Sequence, residues 1–241
     1  MNLLQIRKLF IEQVGNADLV HDYPDCADDN GADLYINEGQ KFLDCLLEVP
    51  GSRRAWPVEL AEGDYKVEVK GLRVLENVHI LNTDGMTQLN YLTSAEMRTE
   101  YPSEEADVDH GTPAYYTEMI KIAPELWRKA STDFTTLYPD LLYGKDNEID
   151  GILFMPPSDA VYTMEISGIW FSKWLQDNRD VSWWSINKPF ALVNAAALMV
   201  EMFYGNSAGV SDRMQAVELL VKGIDHDAVK GMICHNRRIV G

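Results

Sequence analysis

Cysteine is scarce in this chain. Its three thiols, Cys26, Cys45 and Cys234, are an odd number without a C-x-x-C spacing, so neither a disulfide framework nor a thiolate metal centre is expected. Positive charge is also scarce: 21 Lys and Arg stand against 38 Asp and Glu, a formal net charge of −17. That balance excludes nucleic-acid binding through clustered phosphate contacts, which need basic side chains to release counterions. Long apolar runs are missing. The least charged stretch, "PFALVNAAALMVEMFYG", is too short to span a bilayer and carries Asn194 and Glu201. The opening "MNLLQIRKLFIEQVG" interleaves Arg7, Lys8 and Glu12 with apolar residues at helical spacing, which reads as an amphipathic helix and not as a signal peptide. A soluble, intracellular product is expected.

Catalytic motifs are missing as well. The chain has no phosphate-binding or dinucleotide glycine loop, no nucleophile elbow and no H-E-x-x-H. His21, His79, His110, His226 and His235 are scattered, and His79 in "ENVHILN" reads as a strand residue on a solvated face. Cys234 and His235 lack a second cysteine at ligand spacing, and "DHD" at 225–227 lacks the glycine and downstream Glu of a calcium loop. The pair Glu104/Glu105 is uninformative in so acidic a chain. Trp183-Trp184 and Tyr115-Tyr116 point to packing or a subunit interface, since no basic neighbours favour base stacking. The expectation is a protein that is not an enzyme, with no catalytic, cofactor-binding or metal-binding residues.

What the sequence does contain is a change of period. Residues 2–14 place Leu3, Ile6, Phe10 and Val14 on one helical stripe, and "ADLYINEGQKFLDCLLEV" reads as a second helix ended by Pro50 and Gly51. Between them lies the Asp- and Asn-rich loop "GNADLVHDYPDCADDNG". From Trp56 to about Lys173 short β-rich runs follow one another: "WPVEL", "DYKVEVKGL", "RVLENVHIL", "MTQLNYL" and "AYYTEMIKIA". Thr93 or Ser94 is placed to cap a short helix in "TSAEMRTEYP", and the acidic "YPSEEADVDHGTP" reads as a solvated loop. In "ILFMPPSDAVYTMEISGIWF" an antiparallel hairpin is expected, with Pro156 and Pro157 at its turn. Tyr162, Met164, Ile166, Gly168 and Trp170 share one of its faces.

Helical spacing then returns. Pro189 fits only a first turn, so a helix is expected from about Asn187 to Tyr204, with Gly205 and Asn206 after it. An amphipathic helix over 210–222 and a shorter one at "DHDAVKGMI" complete the pattern. Each terminal helical segment is too small to bury its own apolar face. The expected fold is therefore α+β: residues 1–52 and 180–241 form one helical bundle, and 53–179 form an inserted antiparallel β domain, sandwich or barrel-like. The 187–204 helix is apolar nearly all round, which suits either the centre of that bundle or burial against another copy; Ala195, Ala196 and Ala197 permit close helix approach.

The order of these pieces resembles the head–tail connector (adaptor) family of tailed bacteriophages, tail tubular protein A type. The resemblance is carried by "LYINEGQKFL", "NYLTSAEMRTEYP", "GTPAYYTEMIKIAP", "ILFMPPSDAVYTMEISGIWFSKWL" and "PFALVNAAALMVEMFYG", taken in that order. "FSKWLQDNRDVSWWSINKP" departs from the family pattern. The resemblance implies a virion structural protein of the neck, made in the host cytoplasm. It would form a homo-oligomeric, dodecameric ring on the portal protein, meet a tail tube or nozzle protein, and let genomic DNA pass during ejection without specific binding. A negative lumen would repel phosphates and keep that DNA sliding. Unchanged genome ejection after removal of lumen charges would count against this. Arg237 and Arg238 in "CHNRRIVG" are placed to dock on an acidic portal. Other readings are a tail-tube, stopper or baseplate component, an acidic DNA-mimic inhibitor, and a small hydrolase.

Overall fold

Asn2 opens the first helix. In the computed structural model, which describes residues 1–82, 85–101, 108–119, 149–222 and 224, its side chain accepts from the Gln5 amide while Gln5 reaches back to the Asn2 amide. Helix α1 (Leu3–Val14) buries Leu3, Ile6, Phe10 and Ile11, about 2 kcal/mol of apolar transfer each. It stops at Gly15, whose left-handed φ of 72° returns its N–H to the Ile11 carbonyl. A 3-10 turn (Ala17–Leu19) and α2 (Ala32–Leu46) follow. α2 ends three residues before Pro50, where Leu47 turns extended, so the chain leaves the helix before it meets the expected breakers.

Next come β1 (Arg53–Leu60), β2 (Lys66–Asn82), β3 (Gly85–Gln88), β4 (Asn90–Tyr91) and α3 (Ser94–Glu100). Thr93 caps α3 in a reciprocal box with Glu96. β5 (Tyr115–Met119), β6 (Ile149–Met155) and β7 (Tyr162–Trp170) complete the sheet. The C-terminal helices are α4 (Trp183–Asn187), α5 (Pro189–Phe203) and α6 (Ser207–Val221). Pro189 is the first residue of α5, as its missing N–H requires, and Asn206 caps α6 three residues earlier than the periodicity suggested. Among the described residues the chain is thus mixed α/β, with six α-helices and one curled, mixed seven-stranded sheet. The short helix expected at 225–233, residues 102–107 of the acidic 101–113 loop and the part of the expected strand beyond Met119 lie outside the described residues.

The chain divides into two compact units, Met1–Ser52 with Phe171–Gly241 and Arg53–Trp170. Residues 171–179, expected from sequence to belong to the β module, fall in the first unit.

The β unit corrects two expectations. The sheet order is β1-β7-β2-β6-β5-β4, with β3 also on β2, so β6 and β7 do not form a hairpin. β2 lies between them: Lys66 and Val67 face Leu153 and Ile152 of β6, while Val78 and Ile80 face Ile166 and Met164 of β7. The local pattern around Pro156 and Pro157 had the form of a hairpin, but the partner strand comes from far earlier in the chain. The sheet is also not wholly antiparallel, because β4 and β5 run parallel. Of the face expected within β7, Met164, Ile166, Gly168 and Trp170 are buried and Tyr162 is half-buried, while Ile169 on the other face is buried as well.

β2 itself must bend. Its 17 residues would span roughly 55 Å if straight. Yet Asp64, just before its start, accepts from the Ser158 amide, while Leu81 near its end pairs with Thr163, only five residues along. Five residues reach at most about 18 Å. The register shifts between Glu68 and Leu72, and again between Leu72 and Val74 and between Leu75 and Asn77. Gly71, with φ 77°, provides the turn of backbone that an L side chain would resist. The curl encloses Leu60, Val67, Leu72, Ile80, Phe154, Met164 and Ile166 as the core of this unit.

In the helical unit α5 is central. Ala191, Leu192, Ala195, Ala196 and Val200 join residues of α1 and α2 in one core with the fully buried Trp184. The closest approach is Gly39 of α2, where an added Cβ would lie 2.5 Å from the Ala196 amide nitrogen. The run of small residues on α5 therefore allows backbone-to-backbone packing within one copy. Gly39→Ala should separate α2 from α5 and lower stability by about 2 kcal/mol. Thermal denaturation reads this, and an unchanged melting temperature would contradict the packing described.

Candidate interaction surfaces

Four polar residues of α2 occur at i, i+4, i+7 and i+11: Asp33, Asn37, Gln40 and Asp44. That spacing puts them on one helical face, and Asn37, Gln40 and Asp44 are all buried. Burial without partners would be costly, so each side chain needs at least one partner. The partner is the extended segment 172–176, which leads into a turn at 177–180. Asn37 accepts from the Leu175 amide at 2.8 Å and donates to the Leu175 carbonyl at 2.9 Å, as a neighbouring strand would. Gln40 donates to the Lys173 carbonyl, leaving its own buried oxygen without a partner. Asp44 accepts from the Ser172 amide and hydroxyl, and from the Trp184 indole N–H at 2.7 Å.

At the N-terminal end of that face Arg7, 2% exposed, meets Asp33 through two parallel N–H bonds of 2.8 and 2.7 Å. Its third nitrogen donates to the Cys26 carbonyl and to Asn178 Oδ1. Burial opposes the Arg7 charge, but the hydrogen bond and charge of Asp33 outweigh it and hold the guanidinium above its ordinary value. The same burial pushes the Asp33 carboxyl up, with Arg7 only partly offsetting it.

These contacts fix the Asp-rich loop from beneath. Asn178 donates to the Ala27 carbonyl, and Asp22 accepts from the Ala27 and Asp28 amides at 3.0 Å. The bond from the Asp28 amide is the main cause that draws the Asp22 carboxyl below its usual range. The loop is thus ordered by polar bonds to its backbone, which leaves Tyr23, Asp25 and Asp28 on the surface.

Exposed aromatic and apolar residues mark other surfaces. In the helical unit Met202, Phe203 and Tyr204 at the end of α5 are 56, 72 and 65% exposed, with Tyr35 against Phe203 at 6.2 Å. In the β unit Trp56 is 50% exposed on β1, and its ring lies 6.2 Å from that of Trp170. A groove of about 430 Å³ lies between α3 and β5, lined by Leu92, Ala95, Glu96, Thr99, Glu100 and Tyr115.

Compared with models of known protein families and with curated protein sequences, this chain matches none.

The residues singled out from sequence fall as follows. Trp184 is core, and Trp183 packs edge-on against it at 5.1 Å. Tyr116 is buried and stacks edge-on with Tyr91, and Tyr115 does so with Tyr101. His79 is half-buried between Glu165 and Gln88 in register, with its Nδ1 covered, and not freely solvated as expected. Cys26 is buried and Cys45 exposed. Glu104, Glu105, His226, Cys234, His235, Arg237 and Arg238 lie outside the described residues. Among the described residues, no three His, Cys, Asp or Glu side chains gather where they could hold a metal ion, and no helix is long and apolar enough to cross a membrane. Sequence reading missed the α2 polar face. Its signal was available, as polar residues at helical spacing beside the apolar stripe of Ala32, Ile36 and Leu43, but solvent is the usual partner of such a row.

Replacing Arg7 by Met should destabilise the helical unit by about 3–5 kcal/mol, because Asp33 is left as an unpaired, largely buried carboxylate. Chemical denaturation measures the loss, and faster amide exchange at Ala27 and Asp28 should accompany it. The loop should also respond to acid. A carboxylate drawn down by folding contributes stability that is full above its unfolded value, about 3.9, and is lost as pH falls through the lower folded value. Ala27 and Asp28 amide resonances should therefore hold steady down to about pH 4 and shift together below it. Movement centred above that value would show that Asp22 is not the group responsible.

Proposed function

We propose that this protein is a structural component of a phage neck, a head–tail connector whose copies form a ring between portal and tail. The observation that carries this reading is the discontinuous helical unit. The first 52 residues and those from 171 onward cluster together, and Arg53–Trp170 stands between them as a unit with its own core. That supports a helical bundle with an inserted β domain, the architecture implied by the sequence resemblance. The order of helix, polar-faced helix, β module and Ala-rich helix runs along the whole described chain. Surface character adds to it: an aromatic end on α5, an exposed Trp56 edge and an ordered acidic loop suit contact with other proteins better than turnover of a small molecule. The net charge of −17 agrees with a passage through which DNA moves without being held.

In this reading the ring is dodecameric to match the portal, and its partners are the portal protein, a tail tube or nozzle protein, and the passing genome. The test is gentle recovery of the tagged protein from the cells that make it, with negative-stain imaging and a mass-spectrometric inventory. A ring carrying portal protein is the expected result. A ring with tail proteins but no portal would move the assignment to a stopper or tail component. A lone monomer, or a complex with a DNA-binding enzyme, would overturn it in favour of an acidic inhibitor.

A further inference from the structure

Arg54 is a cation that no carboxylate neutralises among the described residues. Its guanidinium lies 5.5 Å from the ring centroid of Trp56 and 5.3 Å from that of Trp170, and the Trp170 indole N–H donates to the Arg54 carbonyl. Two indoles therefore hold a planar cation at the surface, with N–H edges left to bind a carboxylate in a forked pair. The cluster sits on β1, which ends the sheet with β7 as its one neighbour and exposes residues 53–57. Pro57 on this edge has no N–H, so β1 is a poor template for another strand. Recognition there falls to side chains.

The complementary chemistry is present elsewhere in the same chain. The 22–28 loop offers exposed Asp25 and Asp28 beside Tyr23, which is 58% exposed. Many other described carboxylates are engaged: Asp33 and Glu76 in ion pairs, Asp22, Glu96 and Asp180 on backbone amides. The loop is also ordered in advance by Arg7 and Asp22, so little conformational freedom remains to be lost on docking. We infer that the Arg54–Trp56–Trp170 edge of one copy docks on the Tyr23–Asp25–Asp28 loop of a second copy. The two surfaces differ, so the contact is head-to-tail and repeats from copy to copy, as a ring requires. The inference deepens the connector reading and rests on it for the presence of neighbouring copies.

Sedimentation of the purified chain over a concentration series, at low and high salt, tests the contact. Self-association should weaken as salt rises, since exposed charges hold it. Arg54→Glu should weaken association about tenfold or more, and so should Asp25→Arg with Asp28→Arg. A chain carrying all three reversals should recover it, an outcome that simple misfolding cannot produce. If Arg54→Glu associates as the native chain does, the contact is overturned while the connector reading stands. If both reversals weaken association and the combined chain does not recover, the pairing of these two surfaces is wrong. A native chain that remains monomeric throughout also overturns the contact, and the connector reading is then decided by the complex recovered from cells. Binding of a single-stranded oligonucleotide that depends on Arg54, without self-association, would overturn it in favour of a phosphate partner.

Discussion

An extended chain segment outside any sheet, anchored by the buried Leu175, has peptide groups that need partners, and this requirement organises the helical unit. Residues 172–175 cross the face of α2, and Asn37, Gln40 and Asp44 supply the acceptors and donors that a neighbouring strand would have supplied. Arg7 closes the arrangement by joining α1 to α2 through Asp33, and to Asn178. With that segment fixed, α4 starts where Trp184 can reach Asp44, and α5 follows into the core against Gly39. Such a polar row contributes less net stability than an apolar one of the same size, because every group in it has been withdrawn from water. What it fixes is register. An apolar stripe would let 172–175 slide along α2, whereas paired amides accept one alignment.

The β unit is governed by a different constraint, the bending of one long strand. A straight β2 would give an open, flat sheet with two solvated faces and no interior for Phe154, Met164 and Ile166. The bend near Gly71 brings the β6 and β7 sides round a common core. Gly168 belongs to the same device: an added Cβ there would collide with the Val74 carbonyl, at one of the places where the register shifts. One consequence is that β1 finishes the sheet with an exposed, proline-bearing edge.

How far all this could be read in the sequence depends on the range of the forces involved. Helix limits were legible to within a few residues because their signals are local: Thr93 bonds an amide of its own first turn, and Pro189 lacks an N–H that a first turn leaves unpaired. Alternation along β7 was legible for the same reason. Pairing was not. The run through Pro156 and Pro157 has the composition of a hairpin, but which strand lies beside β7 is decided by the course of β2, some eighty residues earlier. The single strand over 66–82 was read as two, because a glycine in a β run signals a break as readily as a bend. The polar residues of α2 gave no local sign that a later segment would cover them. The surfaces considered for association were legible only as composition: tryptophans were noticed, but Trp184 is held in the core by Asp44, whereas Trp56 and Trp174 are exposed.

The acidity also looks different once its residues are placed. Thirty-eight carboxylates suggest a uniformly negative surface, yet several are structural ligands of the backbone. Asp22, Asp29, Glu96 and Asp180 accept from amides, Asp33 neutralises Arg7, and Asp44 is 3% exposed. Their charge is spent on dipoles and on a buried cation, and it adds little to the field felt by a distant polyanion. Any repulsion of DNA must therefore come from the remainder, such as Asp18, Glu59, Glu62, Asp64 and Glu68, which are exposed. Asp18 belongs to the helical unit, and Glu59, Glu62, Asp64 and Glu68 belong to the β unit. The sign of the protein is thus a property of a subset of its acids, and a neutralising change at Asp22 or Asp44 would alter the fold long before it altered that field.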